Sequence, residues 1–265
     1  MKENFSFGKN WQVFLRTVNE ERIKVAERSI SDFLGIGSLK GKSFLDIGCG
    51  SGLFSYAAFR LKANEIVSFD LDTFSVECCR HLKKEAGSPD NWKILTGSIL
   101  DNGFISKLGK FDIVYSWGVL HHTGNMWVAI RNAAGLVDKR GFFYIAVYNK
   151  TRMSGFWLIT KRLYNSLPEA GRKSMEMAYI MALMAKNCIR LRSSTSGLKE
   201  YKSTRGMGWR TDIADWLGGY PYESATAEEI TGFMEKNFPR FRLINIKRTN
   251  SSMGNNWFLF KNGEP

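Results

Sequence analysis

Three glycines at alternate positions, Gly48, Gly50 and Gly52, follow an acid, Asp46, in the stretch FLDIGCGSG from Phe44 to Gly52. Glycine permits a positive φ and lets a ligand approach the peptide plane with no Cβ in the way, so this spacing describes a binding turn. Two phosphate-binding designs are excluded. The loop GxxxxGK followed by Ser or Thr is absent, and the dinucleotide fingerprint GxGxxG needs a glycine at position 53, which is Leu53. An acid at Asp46 repels a pyrophosphate and suits a ligand with a cationic amine. A second acid, Asp70, closes another apolar run about twenty residues on, where the end of a parallel strand lets it accept both hydroxyls of a ribose. His121 and His122, two of three histidines in the chain, can move a proton near neutral pH.

These groups need elements to position them. Phe44, Leu45 and Ile47 read as a short buried strand, and Leu53, Phe54, Ala57, Ala58 and Leu61 recur at helical spacing after the turn. Further strands are expected at Glu65–Phe69, Trp92–Thr96, Phe111–Ser116 and Gly141–Tyr148, with a helix over Thr73–Ala86 capped by Asp72. A helix from about Asn19 to Leu34, ended near Gly35, precedes them. Thr226 and Glu229 make a capping box for a helix to about Asn237, and Phe241–Arg248 and Asn256–Lys261 read as the final strands.

With those elements around it, the motif resembles that of the class I, Rossmann-like S-adenosylmethionine-dependent methyltransferases, in which DxGxGxG after the first strand holds the methionine moiety. Here it is Asp46, Gly48, Gly50 and Gly52, with Cys49 and Ser51 between them. The resemblance implies an α/β fold, a doubly wound, mostly parallel seven-stranded sheet whose last strand is antiparallel; the residues after strand five, which the resemblance covers poorly, read as a helical insertion. It implies S-adenosyl-L-methionine as cofactor and no metal. It assigns Asp70, with Leu71 beside it, to the ribose, and Ser98 with the Ile99 backbone to the adenine. Many members carry an acid where this chain has Ser98, and Asp101 is available to cap a short helix instead. Ser116, Trp117 and Gly118 are expected to border the methyl group. The stretch SWGVLHHTG resembles small-molecule methyltransferases, including quinone-biosynthesis and natural-product O-methyltransferases, in which a histidine orients or deprotonates the acceptor. His121 is the preferred catalytic residue, with His122 second and Tyr148 a further candidate. The implied activity is methylation of a small molecule at oxygen.

Composition bounds the rest. At 265 residues the chain suits one large domain or one with an insertion, divided here as a helical lid segment at 1–43, a core at 44–149 and 226–265, and an insertion at 150–225. Trp11 and Phe7 are candidates for the inner face of the lid, Trp11 against the cofactor. No apolar run has the length of a transmembrane helix, and the first residues lack a signal-peptide core, so a cytoplasmic chain is expected. The four cysteines form no metal-ligand or disulfide pattern.

Lys and Arg number 38 against 25 Asp and Glu, a net charge of +13, and the excess is concentrated. Lys150 to Arg210 holds thirteen basic and three acidic residues. That concentration suits nucleic acid, an anionic membrane or a phosphorylated substrate, and equally a solvated surface. Within the insertion, Pro168 opens a helical pattern to about Arg192 in which Met177 to Ala185 is apolar throughout, as a buried cap helix or an interfacial one. Beyond it, Arg205, Trp209, Arg210, Asp212, Tyr220 and Tyr222 are candidate substrate contacts around a helix at Thr211–Leu217. Competing functions are an RNA methyltransferase, a membrane-associated lipid or quinone methyltransferase, and a binding module that keeps the cofactor crevice without turnover. The NPPY signature of many base N-methyltransferases is missing at strand four. Oligomeric state is left open.

Overall fold

The computed structural model of the chain describes residues 8–15, 17–189, 213, 216–249, 251 and 254–263. The apolar runs become the parallel strands β1 (Ser43–Ile47), β2 (Glu65–Asp70), β3 (Trp92–Thr96), β4 (Phe111–Trp117) and β5 (Val137–Tyr148). With β6 (Phe241–Lys247) and β7 (Asn255–Asn262) they form a seven-stranded sheet in the order β3-β2-β1-β4-β5-β7-β6. β7 pairs antiparallel with both β5 and β6, as expected of the last strand. The order reverses between β1 and β4, which places a crevice at the carboxyl ends of these strands.

Side chains alternate across the sheet, so each face collects its own core. Leu45 and Ile47 of β1 pack with Ile130 of α6 (Met126–Gly135) and Ile230 of α9 (Ala227–Asn237). Phe44 faces the other way, into a cluster with Ile30 of α2 (Glu20–Leu34), Ala57 of α3 (Leu53–Arg60) and Leu82 of α4 (Thr73–Glu85). Strands covered on both faces read as nearly continuous apolar runs, which is why the sequence revealed them.

The helix ends follow local chemistry. The Asn19 side chain accepts from the Arg22 N–H at the start of α2, and Gly35 ends that helix at φ 69°. Asp72 caps α4, Asp101 caps the short α5 (Asn102–Ile105), and Thr226 with Glu229 completes the capping box of α9. α1 (Gly8–Leu15) precedes these elements and packs on α4, where its first backbone N–H donates to Asp72 at 3.1 Å.

Two expectations about element limits change. β5 begins at Val137, four residues before Gly141. The charged run Asp138–Arg140 breaks the apolar pattern, yet its backbone continues the strand while its side chains stay in solvent. The apolar stretch expected to be either a buried or an interfacial helix lies in α8 (Glu169–Ile189), which pairs with α7 (Ser154–Ser166). Only one side of it is covered. Tyr179 and Ile180 pack inward, whereas Met177, Met181 and Met184 are exposed, because about 3.6 residues per turn cannot hide every side of a helix against one neighbour.

Candidate functional site

The site is built from the loops that leave β1, β2, β3, β4 and β5. At the β1 exit, Gly48, Gly50 and Gly52 all have positive φ, at 70°, 54° and 83°. The turn is tied to the neighbouring strand by the Gly48 and Cys49 N–H groups, which both donate to the Phe69 carbonyl. The three glycines serve different neighbours. A Cβ on Gly48 would meet Val119, one on Gly50 would lie 2.9 Å from the Trp11 indole, and one on Gly52 would lie 2.8 Å from the Cys79 Cα. Gly52 therefore permits the close packing of α4 against the turn. Trp11 sits over the turn as the inner face of α1.

Asp70 is fixed at the β2 exit. Its Oδ2 accepts from the Gly50 N–H at 3.0 Å and its Oδ1 from the Asp72 N–H at 2.9 Å. Each carboxylate oxygen keeps a further lone pair for a hydroxyl donor. Leu71 beside it is exposed, an apolar flank at the same exit. Asp46 is only 3% exposed and turns toward α3, where the Ser55 hydroxyl donates to its Oδ2 at 2.5 Å. Ser55 lies 2.7 Å from Ser68, and the Trp92 indole N–H donates to Ser68 at 2.8 Å. Since Ser55 gives its proton to Asp46, Ser68 donates to Ser55, and the row runs in one direction from Trp92 to the carboxylate.

Burial pushes the carboxyl of Asp46 up to about 7 and that of Asp70 up to about 6, with Asp70 adding to the shift on Asp46. Neither is in an ion pair among the described residues. Two desolvated carboxylates at one crevice favour a cationic ligand, so these residues fit an amino-acid sulfonium carrying a ribose. The Cys49 thiol is buried against Cys79, which with burial raises its pKa, and Ser51 is buried in the turn.

At the β3 exit, the Ser98 hydroxyl accepts from the Leu100 N–H, and the Ile99 side chain enters the core while its carbonyl accepts from Asn132. At the β4 exit, Ser116 is fully buried and donates to the Ile47 carbonyl, so its hydroxyl ties β4 to β1. Trp117 packs edge-on against Trp257, and Gly118 turns at φ 78°.

The histidines follow in a turn of 3-10 helix, Leu120–His122. His121 is wholly buried, and neither ring nitrogen has a hydrogen-bond partner. Its ring lies 4.3 Å from that of His122 and 4.0 Å from that of Tyr148. His122 Nδ1 lies 2.7 Å from the Pro221 carbonyl, which can only accept, so Nδ1 carries the proton and Nε2 is the acceptor nitrogen. Burial, with Lys161 nearby, lowers the pKa of His122 to about 3 and that of His121 well below its ordinary value, and both rings are neutral.

Tyr148 joins this turn to the insertion, with ring contacts to Trp216 at 5.0 Å and Tyr222 at 5.4 Å. Lys161 of α7, fully buried, donates to the Trp216 carbonyl and lies over the rings of Trp216, Tyr222 and Tyr148. Glu223 clamps the turn from the returning chain. Its N–H donates to the His121 carbonyl, and its carboxylate accepts from the first N–H of α6. Tyr222 therefore joins the cluster, while Tyr220 is half-buried one residue before Pro221. Arg205, Trp209, Arg210 and Asp212 lie outside the described residues.

Sequence reasoning missed Lys161, Trp157 and Trp216, which pack around Tyr148 and Tyr222 beside the histidine turn. The signal was present in part, since Trp157, Lys161 and Tyr164 share one helical face. Among the described residues, no three His, Cys, Asp or Glu side chains gather as metal ligands.

The solved structure of magnesium protoporphyrin IX methyltransferase from Synechocystis with bound SAH is similar in fold, with a TM-score of 0.56 at 15% identity over 96% of this chain and 93% of that one. A putative S-adenosyl-L-methionine-dependent methyltransferase from Methanococcus maripaludis gives a TM-score of 0.58 at 14% identity, covering 100% and 97%. In sequence, the chain is 29% identical to the ubiquinone biosynthesis O-methyltransferase of Pelagibacter ubique over 154 residues, 57% of this chain and 62% of that relative. The chain thus spans less than two thirds of the curated relatives it matches. A family model described as a methyltransferase domain matches residues 38–205, more than half of the chain and including the glycine turn and both acids, and the chain belongs to that methyltransferase-domain family.

Proposed function

We propose that this chain transfers a methyl group from S-adenosylmethionine to a hydroxyl oxygen of a small, hydroxylated aromatic molecule. The observation that carries the reading is the pair of carboxylates, Asp46 buried and Asp70 half-buried, without an ion-pair partner among the described residues at the glycine turn. Asp70, held by two backbone N–H groups, accepts the ribose hydroxyls, and Asp46 supplies negative charge behind the amino-acid moiety. The positive-φ turn at Gly48 and Gly50, with Trp11 over it, forms the wall of the crevice on that side.

When bound, S-adenosylmethionine supplies an electrophilic methyl carbon, which the acceptor oxygen takes as the carbon–sulfur bond breaks and its electron pair goes to sulfur. The chain's own part is positioning. His122, held by Pro221 at Nδ1 and with a pKa of about 3, orients the acceptor hydroxyl without keeping its proton, which is released as the methyl group is transferred. The wholly buried His121 then acts by packing, holding His122 and Tyr148 in place. Tyr148, Trp216 and Tyr222 exclude water and favour a planar acceptor. Relatives named for O-methylation in ubiquinone biosynthesis support an oxygen acceptor.

The test is incubation with methyl-labelled S-adenosylmethionine and a set of catechols, hydroxybenzoates and aromatic amines. Label in an ether of a hydroxylated ring is expected. Binding of the donor with no labelled product from any acceptor would instead make the chain a binding module.

A further inference from the structure

We infer that the outward face of α7 and α8 docks on an anionic phospholipid bilayer, lying in its interface without crossing it. This surface is separate from the cofactor crevice, and the inference stands whatever acceptor is methylated.

The two faces of α7 are inverted relative to an ordinary surface helix, which hides its apolar side and shows its polar one. Its inward side carries Trp157, Lys161 and Tyr164, all buried, so that a lysine lies inside. Its outward side carries Phe156, Ile159 and Leu163, exposed to 54%, 67% and 52%, with Met153 one turn earlier. These positions recur at three and four residues and form a single stripe. α8 repeats the inversion. Tyr179 and Ile180 pack against α7, while Met177, Met181 and Met184 recur at four and three residues on the outside. Unbranched methionines adapt to a fluid neighbour, and exposed apolar surface of this kind marks an interaction site.

The charge around the stripe decides what lies against it. Arg162 on α7 and Arg152 in the turn just before it are exposed, and neither is in an ion pair among the described residues. The two acids of these helices are occupied. Glu169 pairs with Lys173, and Glu176 accepts from the Tyr164 hydroxyl. The sequence from Lys150 to Arg210 adds to the same sign, with thirteen basic and three acidic residues. Aliphatic side chains flanked by uncompensated arginines match a bilayer interface, where the chains enter the acyl boundary and the guanidinium groups reach lipid phosphates. A nucleic acid would leave Ile159, Leu163 and three methionines unused, and a second copy would bring arginines against arginines. No described helix is long and apolar enough to cross a membrane, which agrees with a peripheral position.

Co-sedimentation with vesicles tests this. Vesicles of phosphatidylcholine with about a third phosphatidylglycerol are expected to carry the full chain down, and pure phosphatidylcholine vesicles to carry at least tenfold less. The triple variant Phe156→Ser, Ile159→Ser, Leu163→Ser is expected to lose at least tenfold in partitioning to the anionic vesicles. Arg152→Glu with Arg162→Glu should weaken binding and flatten its salt dependence. Both variants change only exposed side chains, and an unaltered melting temperature and unaltered binding of S-adenosylhomocysteine establish that they are folded. Wild-type chain that remains in the supernatant with anionic vesicles overturns the inference. So does triple-variant binding equal to wild type, a dimer that the triple substitution dissociates, or tight binding to a single-stranded RNA that the arginine substitutions abolish while vesicles are ignored.

Discussion

Asp46 and Asp70 carry the electrostatics of the crevice, and their protonation gives the first prediction. In the folded chain they titrate at about 7 and about 6, above the ordinary 3.8, because burial disfavours the ionised form. The folded state therefore retains protons that the unfolded chain has released, and stability without ligand falls as pH rises through this window. Thermal melting is expected to decline from about pH 5 to about pH 8, and Asp46→Asn to flatten that decline. Affinity for the cationic donor should rise over the same range, since ionised carboxylates bind it. His122 gives the second prediction. His122→Ala is expected to lower turnover at least tenfold through lost positioning of the acceptor, with donor affinity intact, as steady-state kinetics and calorimetry would read. His121→Phe, which removes two unpartnered buried nitrogens, should leave stability level or raised. The glycines and Asp70 were legible in the sequence, because positive φ and a strand-end acid each demand a residue type. The environments of the two histidines were not, because Pro221, the partner that fixes the His122 tautomer, lies 99 residues away.

The elements were legible where local rules decide them. Capping residues and two-faced strands identified α2, α4, α9 and the sheet, whereas Met177 to Ala185 within α8 reads as apolar throughout and its exposed side emerges only from packing. Gly52 marks the same divide. Its spacing marks it as part of the binding turn, and packing adds a second demand, since the Cys79 backbone of α4 stands where its Cβ would be. Gly52→Ala must displace α4 or the turn and adopt φ 83°. A loss of about 1–3 kcal/mol in denaturant unfolding is expected, as for other overpacked sites. Gly50→Ala meets the Trp11 ring instead, and pairing it with Trp11→Ala should recover part of its loss in donor affinity.

At the scale of the molecule, two assemblies meet at the strand ends. The β1 and β2 exits bear the carboxylates, and the β4 and β5 exits, closed by α7 and the returning chain at 216–225, bear the aromatic and histidine cluster. Separate functions imply separable defects. Lys161→Ala, at the centre of the second assembly, is expected to raise the acceptor KM at least tenfold while leaving donor affinity unchanged, as steady-state kinetics and calorimetry would read. This half was poorly legible, since Lys161 and Trp216 meet only after the insertion folds back.

The most direct measurement is calorimetric titration of S-adenosylhomocysteine into the wild type, Asp70→Ala and Asp70→Asn at neutral pH. Hydrogen bonds to a charged acceptor contribute about 1.5 to 3 kcal/mol each, so the alanine variant should bind well over tenfold more weakly, with asparagine between the two. Equal affinity in all three proteins, or no binding by the wild type, would contradict the assignment of this crevice to the methyl donor.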